Sequence, residues 1–239
     1  MIDYLVFQLY APMAAWGDQA VGQERPSSDH PSRSALLGLV AASIGISRED
    51  EDQHCRLSDA CHFGIKLFSG GLILRDYHTT QVPPESKNSC HLHTRRDELS
   101  ETKLGTILSS REYRQDSFSV IALWLSEGQT PFGMEQLRDA LRQPAYHLYL
   151  GRKSCPLAMM LNPVIIPSDT LKAALDSFPV ATEAMGLATG PIRYFWEEAE
   201  NIGMNAHFHV PRYDQPISRN RWQFASRIEY THLGQEEPN

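Results

Sequence analysis

The order of apolar and polar positions predicts strand, helix, strand, a long polar excursion, strand and helix, before the pattern changes past residue 156. Tyr4-Leu-Val-Phe-Gln-Leu-Tyr10 reads as a buried strand. Ala11–Pro31 follows, carrying Pro12, Trp16, Gly17, Gly22 and Pro26, and its length predicts a task beyond connection. Trp16 is expected to be a core or partner aromatic. Ser32 stands where it can cap a helix from about Arg33 to Ile44, whose apolar face is Leu36, Leu37, Leu39 and Val40. Gly38 inside it costs about 1 kcal/mol relative to Ala, which predicts close approach of another backbone. Ser47 followed by Asp50 resembles a capping box and predicts a short second helix. Cys61–Phe68 alternates, with Phe63, Ile65 and Leu67 opposite His62, Gly64 and Lys66, and reads as a half-exposed strand. Gly70-Gly71 turns the chain into a second run, Leu72–Thr80.

Residues 81–110 lose periodicity, and such a stretch inside a compact domain predicts a protruding arm or mobile loop. Tyr113–Leu125 is the strongest strand, and a helix over about Met134–Arg142 stops before Pro144. This order matches a ferredoxin-like split βαβ with an inserted hairpin. Further on, a short helix capped by Ser168 (about Asp169–Asp176) precedes strand-like runs at Gly190–Trp196, Ala206–Arg212 and Arg221–His232. The reading is therefore α+β: a ferredoxin-like domain over 1–156, with its insertion at about 81–110, and a smaller, mainly β domain over 157–239.

Composition narrows the class. A 41% hydrophobic content over 239 residues allows a substantial core, and no apolar run reaches the ~18 residues a membrane helix needs. With no basic start typical of a signal peptide, a cytoplasmic location is expected. Four scattered cysteines predict reduced, structural thiols. The net charge of −7 argues against a broad basic nucleic-acid surface. Cations nevertheless gather at Arg95-Arg96, Arg111/Arg114, Arg152-Lys153 and Arg219/Arg221, so a local basic groove on an acidic body is compatible with the sequence.

The segment Pro144–Pro156 combines two aromatics, a flexible glycine and two adjacent cations. Tyr146 and Tyr149 can stack on unpaired bases, Gly151 permits a positive φ, and Arg152 and Lys153 can meet phosphates. A solvated loop with one core tyrosine is the plainer alternative. His30-Pro-Ser-Arg-Ser34 offers a helix N-terminus with Arg33 and Ser34 as a phosphate seat, against simple capping with Arg33 in solvent. Arg75-Asp-Tyr-His78, or His147 with Tyr146 and Lys153, could support metal-independent RNA cleavage, although neither spacing is diagnostic. Cys90-His-Leu-His93 lacks a second ligand pair, His207 and His209 lack a third ligand, and Gly151-Arg-Lys-Ser154 lacks the earlier glycine of a phosphate-binding loop. No metal site, cofactor or nucleotide hydrolysis is expected.

Five segments together resemble the CasD family, the subunit capping the crRNA 5′ end in type I-E CRISPR Cascade complexes. They are Tyr4–Gly17, Arg25–Gly38, Arg75–Thr79, Tyr149–Leu157 and Gln223–Arg227. The resemblance implies an RRM-like (ferredoxin-like) domain with a thumb hairpin, holding the crRNA 5′ handle without catalysis. It further implies contacts with the Cascade backbone subunit and large subunit, target DNA being met only through the complex, and no membrane. The RNA-binding residues expected are Arg25, Arg33, Ser34, Arg75, His78, Arg111, Tyr146, Tyr149, Gly151, Arg152, Lys153 and Arg227. Relatives in another subtype cleave precursor RNA, which supplies the alternative of an endoribonuclease.

Overall fold

A computed structural model describes the chain apart from residues 18–19, 21, 84–93, 101–102, 127, 129–130, 181–185, 187–189, 198 and 235–239. The first elements are β1 (Ile2–Ala14), β2 (Trp16–Gly17), β3 (Glu24–Arg25), β4 (Ser27–Ser28), α1 (Arg33–Ile44) and α2 (Glu51–Ala60). Then come β5 (Cys61–Ser69), β6 (Leu72–Val82), α3 (Arg95–Glu98), β7 (Gly105–Leu125) and α4 (Met134–Arg142). The last are β8 (Val164–Ser168), α5 (Leu171–Ser177), β9 (Arg193–Glu197), β10 (Phe208–Ser218) and β11 (Gln223–Leu233). Together they make an α+β fold dominated by one sheet.

The sheet runs β10-β11-β9-β5-β7-β1-β8, with β3 and β6 pairing onto the outer part of β7. Inner β7 sits between β1 (Leu5↔Leu123, Tyr10↔Phe118) and β5 (Cys61↔Leu125, Ser69↔Phe118), both antiparallel. Alternation along these strands sends Leu5, Phe7, Leu9, Ile121 and Leu123 to one face, against Leu36, Leu37 and Val40 of α1 and Leu137 and Leu141 of α4. Tyr4, Val6, Phe118 and Val120 go to the other face, under Leu171 and Leu175 of α5. Burying each such side chain contributes about 1.5–3 kcal/mol, so both faces hold the sheet.

The cap of α1 is as expected, Ser32 accepting from Ala35 N, whereas α2 is capped by Asp50, which accepts from Gln53 N, and not by Ser47. Three further expectations need correction. β5 is not half-exposed, because α5 covers its polar side. Gly64 leaves the space that Leu171 fills, a Cβ there falling 2.7 Å from Leu171 Cδ2, and Lys66 Nζ reaches Asp176 of α5 at 2.6 Å. α5 starts later than expected, capped by Thr170, which accepts from Ala173 N. The approach to Gly38 is made by the guanidinium of Arg219, not by a backbone.

Of the polar stretch 81–110, Gln81, Val82 and Gly105–Ser110 are strand: β6 and outer β7 form a hairpin from Leu72↔Gln115 to Val82↔Gly105. Its outer part includes α3, while the Cys90–His93 motif lies outside the described residues. The long segment after β1 is laced onto the hairpin's base. β2 pairs with β4, and β3 pairs with β7 in parallel at Glu24↔Ser110 and Arg25↔Arg111. Trp16 is a core residue whose Nε1 donates to Ser117 Oγ at 3.3 Å. β8, unmarked by the sequence pattern, pairs with the outer edge of β1 (Ile2↔Ser168), an edge position that tolerates Pro167.

Candidate nucleic-acid interface

Strand register collects charge at the base of the β6–β7 hairpin. Asp76 faces Arg111, Arg75 faces Glu112 and Ile73 faces Arg114 across the hairpin, while Arg25 lies beside Arg111 on the far side of β7. Glu112 is the hub. Its Oε1 accepts from Arg75 Nε at 3.0 Å and its Oε2 from Ser27 N at 3.2 Å. Burial alone would raise the Glu112 pKa, but the bond from Arg75, that from Ser27, and the charges of Arg75 and Arg114 together lower it. Arg114 donates from Nε and Nη2 to the carbonyls of Ser27 and Ser28 at 2.9–3.2 Å, stitching the β2–β4 turn to the hairpin.

The loop after α4 closes on the same place. Leu148 and Leu150 are buried, so the intervening Tyr149 turns outward and is 39% exposed. Ala15 N donates to Leu150 O at 3.0 Å, and Leu150 N donates to Cys155 O at 2.8 Å. Gly151 has φ +84°, and a Cβ there would meet Ala15 O at 1.8 Å, so glycine alone fits. Arg152 leaves this turn with its guanidinium 4.6 Å over the Tyr113 ring, donating to Glu112 O at 3.1 Å and Arg25 O at 3.5 Å. Lys153 beside it is exposed.

The segments 24–25, 75–78, 111–114 and 152–153 thus bring six cations (Arg25, Arg75, Arg111, Arg114, Arg152, Lys153) against three carboxylates (Glu24, Asp76, Glu112). Among the described residues the one salt bridge joining these groups is Arg75–Glu112, and Asp76 is occupied by His78. Arg25 spends Nη1 on Gly22 O and Glu24 O. These segments thus carry an excess of cations on a chain whose sum is −7, with Arg25, Arg75 and Lys153 exposed.

Of the residues expected to act together, Arg25, Arg75, Arg111, Tyr149, Gly151, Arg152 and Lys153 lie in these segments or in the loop docked on them. His78 lies two positions beyond Asp76 along the hairpin. Tyr146 is exposed at the other end of its loop, tied by its N–H to Ala42 O near the C-terminus of α1. Arg33, Ser34 and Arg227 are elsewhere, and two of them correct the expectation. Arg33 is no phosphate seat: it is 5% exposed, gripped by both Glu197 oxygens at 2.6 Å and donating to Ser58 O. Its backbone N–H is taken by Asp214 Oδ2 at 2.8 Å, so the helix entry has already found its anion. Arg227 is likewise committed, to Asp214 and Glu229 at 2.7–2.9 Å. Ser34 gives its carbonyl to Arg219 and its hydroxyl to Ser32. Arg114 was absent from the expected RNA-binding set, although its signal was already present in the Arg111/Arg114 gathering of cations.

Residues 4–228 match the family described as CRISPR-associated protein (Cas_Cas5), and the chain belongs to that family. It is 32% identical over 248 residues to the CRISPR system Cascade subunit CasD of Escherichia coli (strain K12), covering 98% of this chain and 97% of that protein. Two solved structures share the fold. One, titled "CRISPR RNA-guided surveillance complex", is 22% identical with a TM-score of 0.66 and covers 97% of this chain and 90% of the other. The second, "Crystal structure of Cas protein", is 20% identical with a TM-score of 0.58, covering 96% and 94%.

Proposed function

We propose that this chain is a non-catalytic RNA-binding subunit of a type I-E Cascade complex that holds the crRNA 5′ handle at the base of the β6–β7 hairpin. The observation that carries this reading is the gathering of Arg25, Arg111, Arg114, Arg152 and Lys153, none of them in an ion pair among the described residues, on an otherwise acidic chain. A single strand laid there meets fixed guanidinium groups for its phosphates and the outward ring of Tyr149 for a base. The strands β1, β5, β7 and β8 with α1 and α4 follow the chain order β-α-β-β-α-β and the sheet order β5-β7-β1-β8, which supports a ferredoxin-like core that begins in 1–156 and is completed beyond it by β8. On this view β6 with outer β7 is the thumb, and the chain after β8 is a smaller, mainly β part built on β9–β11. The thumb's exposed Leu72, Ile73, Tyr77 and Ile107 suit contact with the backbone and large subunits, with target DNA reached through the assembled complex.

Purified chain incubated with labelled repeat RNA in EDTA tests the reading. A shift with intact RNA is expected. Cleavage that disappears in His78→Ala would instead make the Asp76–His78 pair an active site.

A further inference from the structure

A second cationic and aromatic cluster lies at the turn between β10 and β11, and the site above does not use it. By register this turn and the β6–β7 hairpin leave opposite ends of the sheet. β11 runs from the turn at Gln223 to Leu233, which pairs with Arg193, and Arg193 pairs with Leu67, beside the strand end from which the hairpin departs. At the turn Trp222 holds φ +54°, a conformation few non-glycine residues adopt, and its indole is 60% exposed. Trp16, Trp124 and Trp196 are all buried.

Three arginines converge there. Arg48, from the α1–α2 connection, places its guanidinium 4.7 Å from the centre of the Trp222 ring. Arg219 lies along α1, donating to Ser34 O at 3.1 Å over the bare face of Gly38. Arg221 is exposed, and only its backbone is held, by Ser218 Oγ at 3.1 Å. Among the described residues none of the three has a carboxylate partner. The neighbouring acids are Glu51, which accepts from Asn220 Nδ2 at 2.7 Å, Asp50, which caps α2, and Glu49, which forms no ion pair among the described residues. Burial and the charge of Arg48 lower the pKa of Arg219, and His54 is lowered by burial and by Arg219. Like charges therefore stand together with no direct ion pair among the described residues, Glu51 being held beside them on Asn220.

We propose that this turn is a second, separate contact for single-stranded nucleic acid, with phosphates on Arg48, Arg219 and Arg221 and a base on Trp222. An acidic peptide would use the cations and leave the indole unexplained, whereas a nucleotide strand uses both. Phosphate contacts and ring stacking are common to RNA and DNA, so both are expected to bind. The inference does not depend on the handle-binding reading, since it rests on other residues at the other end of the sheet.

Trp222 is its own reporter, because the other indoles are buried. Intrinsic fluorescence of the full chain is titrated with U10, dT10 and polyglutamate. Both oligonucleotides should quench saturably. Arg48→Ala/Arg221→Ala, two exposed positions whose replacement should leave the circular dichroism unchanged, should weaken quenching about tenfold. Arg152→Ala/Lys153→Ala should leave it intact even where it abolishes handle binding. The proposal is overturned by absence of quenching, by equal quenching in the Arg48/Arg221 variant, by its loss in the Arg152/Lys153 variant, or by quenching with polyglutamate alone.

Discussion

Arg33 and Arg152 show how identical side chains diverge once packed. Arg33 is buried between Glu197 and Ser58 O, so truncation leaves an uncompensated carboxylate. Arg33→Ala should destabilise by about 3 kcal/mol in urea unfolding, while Arg25→Ala, exposed and bonded only to carbonyls, should stay within about 0.5 kcal/mol. Nothing in His30-Pro-Ser-Arg-Ser34 separates a solvated cation from a buried one, because the deciding carboxylates lie on β9 and β10. Gly151 was legible as a turn residue, but the 1.8 Å approach to Ala15 O depends on a contact more than a hundred positions away. His30 is also residue-scale chemistry. It is buried and stacked on Phe195, and it faces Asp29, Glu229 and Arg212. Burial opposes its charge, yet the bonds to Asp29 and Glu229 prevail and raise its pKa above 6.5. Glu229, which burial alone would raise, is pulled from 4.5 to about 2, foremost by the bond from His30. The raised histidine stabilises below pH 6.5 and is lost as pH climbs through its folded value. The lowered glutamate stabilises above 4.5 and is lost on acidification towards 2. Thermal midpoints should therefore peak between pH 4.5 and 6.5, and His30→Gln should remove the alkaline decline. An unchanged profile would show that this cluster does not titrate as described.

At the scale of elements, periodicity located α1, α4 and inner β7 because each buries its own apolar face. It missed β8, a five-residue edge strand with a proline inside, held by pairing with β1 and by Ile165 and Ile166 packed against the two cores. It read the polar side of β5 as solvent-facing, since Lys66 and Gly64 look solvated until α5 brings Asp176 and Leu171. Gly64→Val should displace Leu171 and loosen α5, seen as faster amide exchange over 171–177 with β1 and inner β7 still protected. The docking of the 144–156 loop on the hairpin base was equally invisible, although its individual residues were not. Arg152 joins loop, β3 and β7 through two carbonyls and a ring. Arg152→Ala should accordingly impair RNA binding beyond the loss of one charge, whereas Lys153→Ala should remove charge alone.

For the whole molecule the central quantity is where charge sits, not its sum of −7. The paired cations Arg33, Arg212 and Arg227 tie β9–β11 to the loop before α1, and among the described residues the cations without a carboxylate partner stand at the two hairpins. Salt dependence separates these roles, because only cations that meet phosphates release counterions. The most direct measurement is the affinity of the purified chain for a 5′-handle oligonucleotide against salt concentration, compared with Arg152→Ala/Lys153→Ala. The slope of log K against log salt should flatten by about 1.4 in the double variant, ~0.7 for each phosphate contact removed, with circular dichroism unchanged. An identical slope and affinity in the two proteins would contradict the account, since the strand would then lie elsewhere than at the hairpin base.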